Sequence, residues 1–252
     1  MNVACLPLLV ALLAGGERGP RPVPDRLVVL TFDDAVLSHA TYVAPLLKKY
    51  GFGATFFVCE FQQPAFSDKT KYMSWPQVAE LARQGFEVGS HTLTHRHVNK
   101  LTADELAAEL DSVESRCRTY GIPRPVTFAY PGYDTAARAR PVLRARGYRL
   151  ARAGGNRPYN PQQDDPLRVP SYTTLATNRA EILAALAEAH DGRVVVLTVH
   201  GVPDTAHDWV STPPALFEEY LRYLHQHHYR VVALRELARY LPAPPGVPPA
   251  AP

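Results

Sequence analysis

Two near-continuous apolar runs, LVVLTF at Leu27–Phe32 and RVVVLTV at residues 193–199, constrain the fold of this chain more than any other feature. A strand with one wet face alternates apolar and polar residues, whereas a strand apolar on both faces needs cover on both sides, as in a parallel sheet between helices. Helical patterns and further strands recur between and around these two runs. A helix is predicted over residues 39–50 with Gly51 as its stop, a strand over 54–59, and a helix from the capping box Ser74-Trp75-Pro76-Gln77 to Gln84. A strand at 86–89 follows, then a second capping box at Thr102-Ala103-Asp104-Glu105 opens a helix carrying Leu106, Leu110 and Val113 on one face. A strand at 126–130, a helix at 135–146, a polar loop at 154–166, helices near 180–190 and 214–227, a strand at 229–233 and a short closing helix complete the order. Six to eight such β/α units in roughly 220 residues favour a closed parallel barrel over an open sheet.

The chain has 252 residues, and its 27 Lys+Arg against 24 Asp+Glu form no basic block, which excludes a nucleic-acid footprint. No apolar run reaches the ~20 residues of a membrane helix, so an integral membrane segment is excluded as well. Residues 3–16, VACLPLLVALLAGG, read as the apolar part of a secretory signal over residues 1–19, placing the protein outside the cell or in its envelope. Residues 242–252, PAPPGVPPAAP, form neither helix nor inner strand because proline lacks the donor, and a disordered tail is expected there. The folded domain then spans residues 25–241. Without the leader two cysteines remain, Cys59 and Cys117, which read as separate buried thiols rather than a disulfide framework.

In a barrel of parallel strands, functional groups gather just after the C-terminal strand ends. Asp33-Asp34, Ser90-His91, Pro131-Gly132-Tyr133 and His200 all fall at such positions. Adjacent extended residues point to opposite faces, so Asp33 and Asp34 are expected to serve different partners; either also suits a helix N-cap. His91 and His95 are four apart, and on a helical turn their imidazoles share a face and can share an ion. Two imidazoles and one carboxylate, with positions left open, make a catalytic rather than a structural metal arrangement, suited to Zn, Co, Ni or Mn. His97, two residues further, is expected to face away. His200 reads either as a satisfied core group or as a proton donor at the barrel mouth. His225, His227 and His228 complement a helix C-terminus and carry no chemistry. Trp209, in the loop after His200, either stacks on a sugar face or packs locally, and Tyr130, Tyr133 and Tyr172 are candidates to line the same mouth.

Taken together, Thr31-Phe32-Asp33-Asp34, Ser90-His91-Thr92-Leu93-Thr94-His95, Phe128-Ala129-Tyr130-Pro131-Gly132-Tyr133 and Leu197-Thr198-Val199-His200 stand in the order and spacing of a known family. From about Leu27 to Leu241 the chain resembles the polysaccharide deacetylases, carbohydrate esterase family 4 or the NodB-homology group. The resemblance implies a distorted parallel (β/α)7 barrel that hydrolyses N-acetyl groups on amino sugars of a carbohydrate polymer. By position it assigns the divalent metal, usually zinc, to Asp34, His91 and His95, the general base to Asp33 and the general acid to His200. It also suggests a backbone N–H near Tyr133 as a donor to the oxyanion, with Tyr133 and Trp209 as substrate contacts.

One element of the pattern is missing. Many family members carry an arginine before the third-motif proline that contacts the catalytic base, where this chain has Ala129 and Tyr130. Arg152 or Arg168 is the candidate replacement, and Asp164, Asp165 and Asp208 are candidates to orient the acid histidine. Two other readings therefore stand beside polysaccharide N-deacetylation. One is hydrolysis of a different non-peptide C–N amide on a small molecule; the other is a catalytically weak carbohydrate-binding protein on the same barrel.

Overall fold

The computed structural model of the chain describes residues 21–62 and 64–242; the expected leader and residues 243–252 of the expected tail lie outside them. Eight strands run through it: β1 Leu27–Phe32, β2 Thr55–Val58, β3 Glu87–Ser90, β4 Thr127–Ala129, β5 Leu150–Arg152, β6 Tyr172–Thr173, β7 Val195–Val199 and β8 Arg230–Val232. The helices are α1 Ala44–Tyr50, α2 Trp75–Arg83, α3 Ala103–Thr119, α4 Ala139–Ala145, α5 Arg179–Ala187 and α6 Pro214–Gln226. Every strand pairing is parallel, in the order β5-β4-β3-β2-β1-β7-β6. A single parallel bridge between Arg152 and Val169, just ahead of β6, joins the two outer edges. The result is the parallel barrel that the strand and helix pattern predicts, in the distorted (β/α)7 form that the family resemblance implies.

The distortion has a definite origin. One side of β1 is lined along its length by β7, from Val28 opposite Val195 to Phe32 opposite Val199. Its other side is shared: β8 pairs with Leu27–Val29, and β2 takes over only at Thr31 and Phe32. The eighth strand is thus wedged between β1 and β2 at the barrel floor, where the Gly53 N–H donates to the Val231 carbonyl at 3.1 Å.

Period-two alternation decides what each strand contributes. On β1, Val28, Leu30 and Phe32 pack under the helices, whereas Leu27 and Val29 join Phe57, Leu150, Val194 and Val196 inside the barrel. Both faces are buried, which is why the run is apolar throughout. Two strands escape the sequence reading. β5 is a three-residue Leu-Ala-Arg and β6 a two-residue Tyr-Thr, too short for any periodicity.

The helices follow their predicted starts with two exceptions. The capping boxes form as expected, with the Ser74 N–H donating to Gln77 Oε1 at 2.8 Å and the Thr102 N–H to Glu105 Oε2 at 2.8 Å. The predicted helix over residues 39–50 does end at Gly51, in left-handed conformation at φ 67°, but its first turn, His39–Val43, is wound as a π-helix. The helix predicted from residue 135 begins only at Ala139. Pro141 has no N–H to give, so it is accommodated in a first turn but not further inside a helix.

At the floor of the barrel a carboxylate that forms no ion pair among the described residues holds four elements together. Glu87, 2% exposed, accepts from Thr55 Oγ1 on β2 at 2.7 Å, from Thr127 Oγ1 on β4 at 2.8 Å and from the Arg235 N–H at 2.8 Å. Glu87→Ala would leave those donors buried and unpaired. A loss of about 3 kcal/mol or more is expected in urea denaturation, with Glu87→Gln recovering part of it.

Candidate active site

The same alternation that fills the barrel aims its chemistry. Beyond Leu27, Val29 and Thr31 the next inward residue is Asp33, whose N–H still donates to the Val199 carbonyl at 3.0 Å. On β5 the inward residue after Leu150 is Arg152, and on β7 the one after Val196 is Thr198. Beyond Glu87 and Gly89 it is His91. Four strands therefore deliver their last inward side chains to one point at the open end.

Arg152 and Asp33 are the centre of that point. The guanidinium is completely buried and its Nη2 lies 2.5 Å from Asp33 Oδ2, while its Nη1 donates to Thr198 Oγ1 at 3.0 Å. The rings of Tyr133 and Phe57 stand 5.1 and 5.5 Å from it. Burial by itself would raise the Asp33 pKa, but Arg152, with the nearby imidazoles, holds the carboxyl below the ordinary aspartate value. The arginine absent from the third motif is thus supplied from β5. Arg168, the other candidate, is exposed.

Asp34 does not follow the alternation. Its backbone is left-handed, at φ 73°, followed by Ala35 at φ 51°, and the turn brings its side chain back to the cavity that Asp33 enters. The expectation that the two carboxylates face opposite ways is therefore overturned: His91 Nε2 lies 3.8 Å from Asp33 Oδ2 and 3.6 Å from Asp34 Oδ1. Burial, and then the charge of Asp33, push the Asp34 pKa up to about 8. Two adjacent buried carboxylates facing one arginine are one positive charge short.

The histidines complete the set, though not on a helical turn as the spacing predicts. Residues 91–97 form an irregular loop in which Thr92 and His95 have φ of 54° and 56°. The loop nonetheless sets the His91 and His95 ring centres 4.8 Å apart and puts His95 Nε2 3.3 Å from Asp34 Oδ1. His91 Nδ1–H donates to the Ala129 carbonyl at 2.9 Å, which fixes the tautomer and leaves Nε2 with its lone pair toward the cavity. One ligand atom each from Asp34, His91 and His95 lies within 4.8 Å of the others. Two neutral imidazoles, a carboxylate and a local deficit of positive charge fit a divalent cation by donor type, spacing and charge. His97 turns away, as expected, and pairs with Asp134 at 2.7 Å.

His200 lies across the cavity, with Nε2 3.9 Å from Asp34 Oδ2 and its carbonyl accepting from His39 Nε2 at 2.7 Å. None of the aspartates expected to orient it does so. Asp164 is held by Arg157, Asp165 by Arg140, and Asp208 is exposed. The buried carboxylate of this loop is instead Asp204, and it faces His207, 3.4 Å from Nδ1. An Asp-x-x-His spacing after a histidine-glycine pair was the available sequence signal. His39 gave none.

The aromatic contacts divide. The Tyr133 hydroxyl meets Thr173 Oγ1 at 2.5 Å, and its N–H donates to the Tyr130 carbonyl at 3.0 Å. The Tyr133 N–H thus closes a turn at the end of the third motif. Trp209 is 72% exposed at the rim, edge-on to His207 with ring centres 5.4 Å apart. Tyr130 and Tyr172 are buried. Cys59 and Cys117 are both free and buried, Cys59 with its Sγ 4.0 Å from Asp34 Oδ1.

These protonation states have a measurable sign. Burial first of all holds His39 and His91 down to about 4 and His95 to about 2. In the unfolded chain each titrates near 6.5, so their contribution is whole above that pH and is lost as pH falls toward 4, at ~1.4 kcal/mol per pH unit for each group. Asp34, raised to about 8, works the other way: its contribution is whole below the unfolded aspartate pKa and is lost as pH rises through 8. In the presence of chelator the melting midpoint should peak near pH 6.5, and a monotonic profile between pH 8 and 4.5 would contradict this arrangement. Arg152→Met strands the Asp33 charge and should destabilise the fold by roughly 3–5 kcal/mol in the same measurement.

Comparison with known proteins agrees with the geometry. The family model described as polysaccharide deacetylase matches residues 21–151, more than half of the chain. A chitin deacetylase of Pestalotiopsis sp is 26% identical over 164 residues, covering 58% of this chain and 53% of that protein. The poly-β-1,6-N-acetyl-D-glucosamine N-deacetylase of Escherichia coli K12 is 33% identical over 98 residues, covering 34% and 15%. The chain thus spans about half or less of the length of these relatives. The crystal structure of the chitin deacetylase from Colletotrichum lindemuthianum superposes with a TM-score of 0.61 at 19% identity, covering 90% of this chain and 92% of that one. With its motifs, its barrel and its matched family model in agreement, this chain belongs to the polysaccharide deacetylase family.

Proposed function

We propose that the protein is a secreted, metal-dependent hydrolase that removes N-acetyl groups from the amino sugars of a polysaccharide, releasing acetate. One observation carries this reading: a carboxylate held ionised by Arg152 stands within 4 Å of a His-His-Asp donor set at the open end of the barrel. The relatives named for chitin and for poly-β-1,6-N-acetyl-D-glucosamine deacetylation support an N-acetylated glycan as substrate. The apolar leader at residues 3–16 supports export to where such polymers lie.

Each residue has a definite task on this reading. Asp34, His91 and His95 would hold the divalent cation, most simply zinc, with cobalt, nickel and manganese compatible with the same donors. Bound there, such a cation supplies Lewis-acid polarisation of the amide carbonyl and lowers the pKa of water from about 16 toward 7. Asp33 receives the proton: Oδ2 is occupied by Arg152, whereas Oδ1 is buried with no hydrogen-bond partner among the described residues. Arg152 keeps that carboxylate charged and fixes which oxygen is free. His200 returns a proton, from Nε2, to the departing amine. Burial holds its pKa down, which makes the imidazolium formed there a strong acid toward nitrogen. Trp209, exposed at the rim, offers a flat face to a neighbouring sugar.

The catalytically weak alternative drew on the missing third-motif arginine, and the Arg152–Asp33 contact takes that support away. Acetate release from a panel of N-acetylated glycans, with and without chelator and added Zn²⁺ or Co²⁺, tests the proposal. Metal-restored release from oligomers is expected; release only from small amides, or none, rejects it. Asp33→Asn should keep the metal and lose turnover by about 10²–10⁴-fold. Loss of the metal in that variant would reverse the roles of the two aspartates.

A further inference from the structure

The loop that follows β7 carries an imidazole that the proposed chemistry does not use. It begins at Gly201, where a Cβ would overlap the Asp204 backbone, so only glycine lets the loop fold back so closely. Asp204, 3% exposed, then accepts from the N–H groups of Gly201 at 3.2 Å, Ala206 at 2.9 Å and His207 at 2.7 Å. Its carboxylate is a fixed post. His207 stands on it, with Nδ1 3.4 Å from Asp204 Oδ2 and the Tyr72 hydroxyl 3.3 Å from Nε2. The Phe61 ring closes another side, its centre 5.1 Å from that of His207 and 4.8 Å from that of His95.

Asp34 divides its two oxygens. Oδ1 faces His91 Nε2 at 3.6 Å and His95 Nε2 at 3.3 Å, whereas Oδ2 faces His200 Nε2 and His207 Nδ1, each at 3.9 Å. Nδ1 stands between the carboxylates of Asp204 and Asp34, which favour a proton on that nitrogen, and Nε2 is then the acceptor for the Tyr72 hydroxyl. Nδ1 is buried and completes no hydrogen bond among the described residues. A monodentate carboxylate ligand rotates unless a donor holds its second oxygen. Among the described residues the His200 carbonyl is tied by His39 while its Nδ1 has no partner, whereas the His207 ring is held by Asp204, Tyr72 and Phe61.

We propose that His207, braced by Asp204, is a positioning residue that holds Asp34 Oδ2 and thereby aims Oδ1 at the cation shared with His91 and His95. This rests on the metal reading of the site, and the test separates the two. Zn²⁺ alone is titrated calorimetrically into chelator-stripped protein. His207→Ala is expected to bind it about 10–100-fold more weakly than the native chain. His207→Asn, whose amide nitrogen takes the place of Nδ1, should restore most of the affinity, and His207→Gln, which reaches toward Tyr72, should not. Affinity of His207→Ala within twofold of native, or equal affinities for the Asn and Gln variants, overturns the proposal while leaving the metal site standing. A native chain that takes up no Zn²⁺ overturns both. Should His207→Ala fail to fold, the comparison of the Asn and Gln variants decides alone.

Discussion

The buried contact between Arg152 and Asp33 is the constraint around which the rest of this molecule is arranged. Removing both charges from water costs several kcal/mol per ion, and only close geometry and further hydrogen bonds offset that cost. Here β1 brings the carboxylate, β5 the guanidinium and β7, through Thr198, the extra acceptor. The contact forms only if these three strands lie in register around a closed barrel. Closure happens at the same residue, since the bridge that joins the barrel edges pairs Arg152 with Val169. The seam of the fold and the tuning of the proposed base are one feature.

From that contact the charges of the site sort themselves. Two aspartates adjacent in sequence and in one cavity are driven apart in acidity, Asp33 down and Asp34 up. Both are buried, so burial does not distinguish them; Arg152 contacts only Asp33. This is the familiar pattern of paired carboxyl groups given different tasks by their surroundings. It also explains why the donor set around Asp34 suits a cation: a second positive charge is what the pair of carboxylates lacks. Neutral, lone-pair-bearing imidazoles on either side complete the match.

Much of this is legible in the sequence. The doubly apolar β1 and β7 required cover on both faces and hence a parallel β/α fold, and the strand-end rule placed Asp33, Asp34, His91 and His200 at one mouth. What the sequence concealed was set by tertiary context. β5 is three residues long and ends in a charged side chain, so nothing marked Arg152 as a strand residue with an inward face. Left-handed backbone at Asp34 and His95 undid two local geometric expectations, the opposed carboxylates and the helical His91–His95 pair, yet both changes carried the side chains into the cavity. Asp204 stands with Asp164, Asp165 and Asp208 among the loop aspartates, set apart in the sequence only by its Asp-x-x-His spacing, and it is burial that gives that spacing its meaning.

The left-handed turn at Asp34 has a wider meaning. The proposed base and the proposed ligand are neighbours along the chain, so their separation is set by one peptide unit and a single unusual φ rather than by how helices and strands happen to pack. Barrel walls can drift through many substitutions and still superpose, as the 19% identity with a chitin deacetylase structure illustrates. Aspartate and asparagine enter this backbone region more readily than other non-glycine residues. The second aspartate of the pair is therefore chosen twice over, by its carboxylate and by its main chain, and glutamate, with the same charge, would meet only the first requirement.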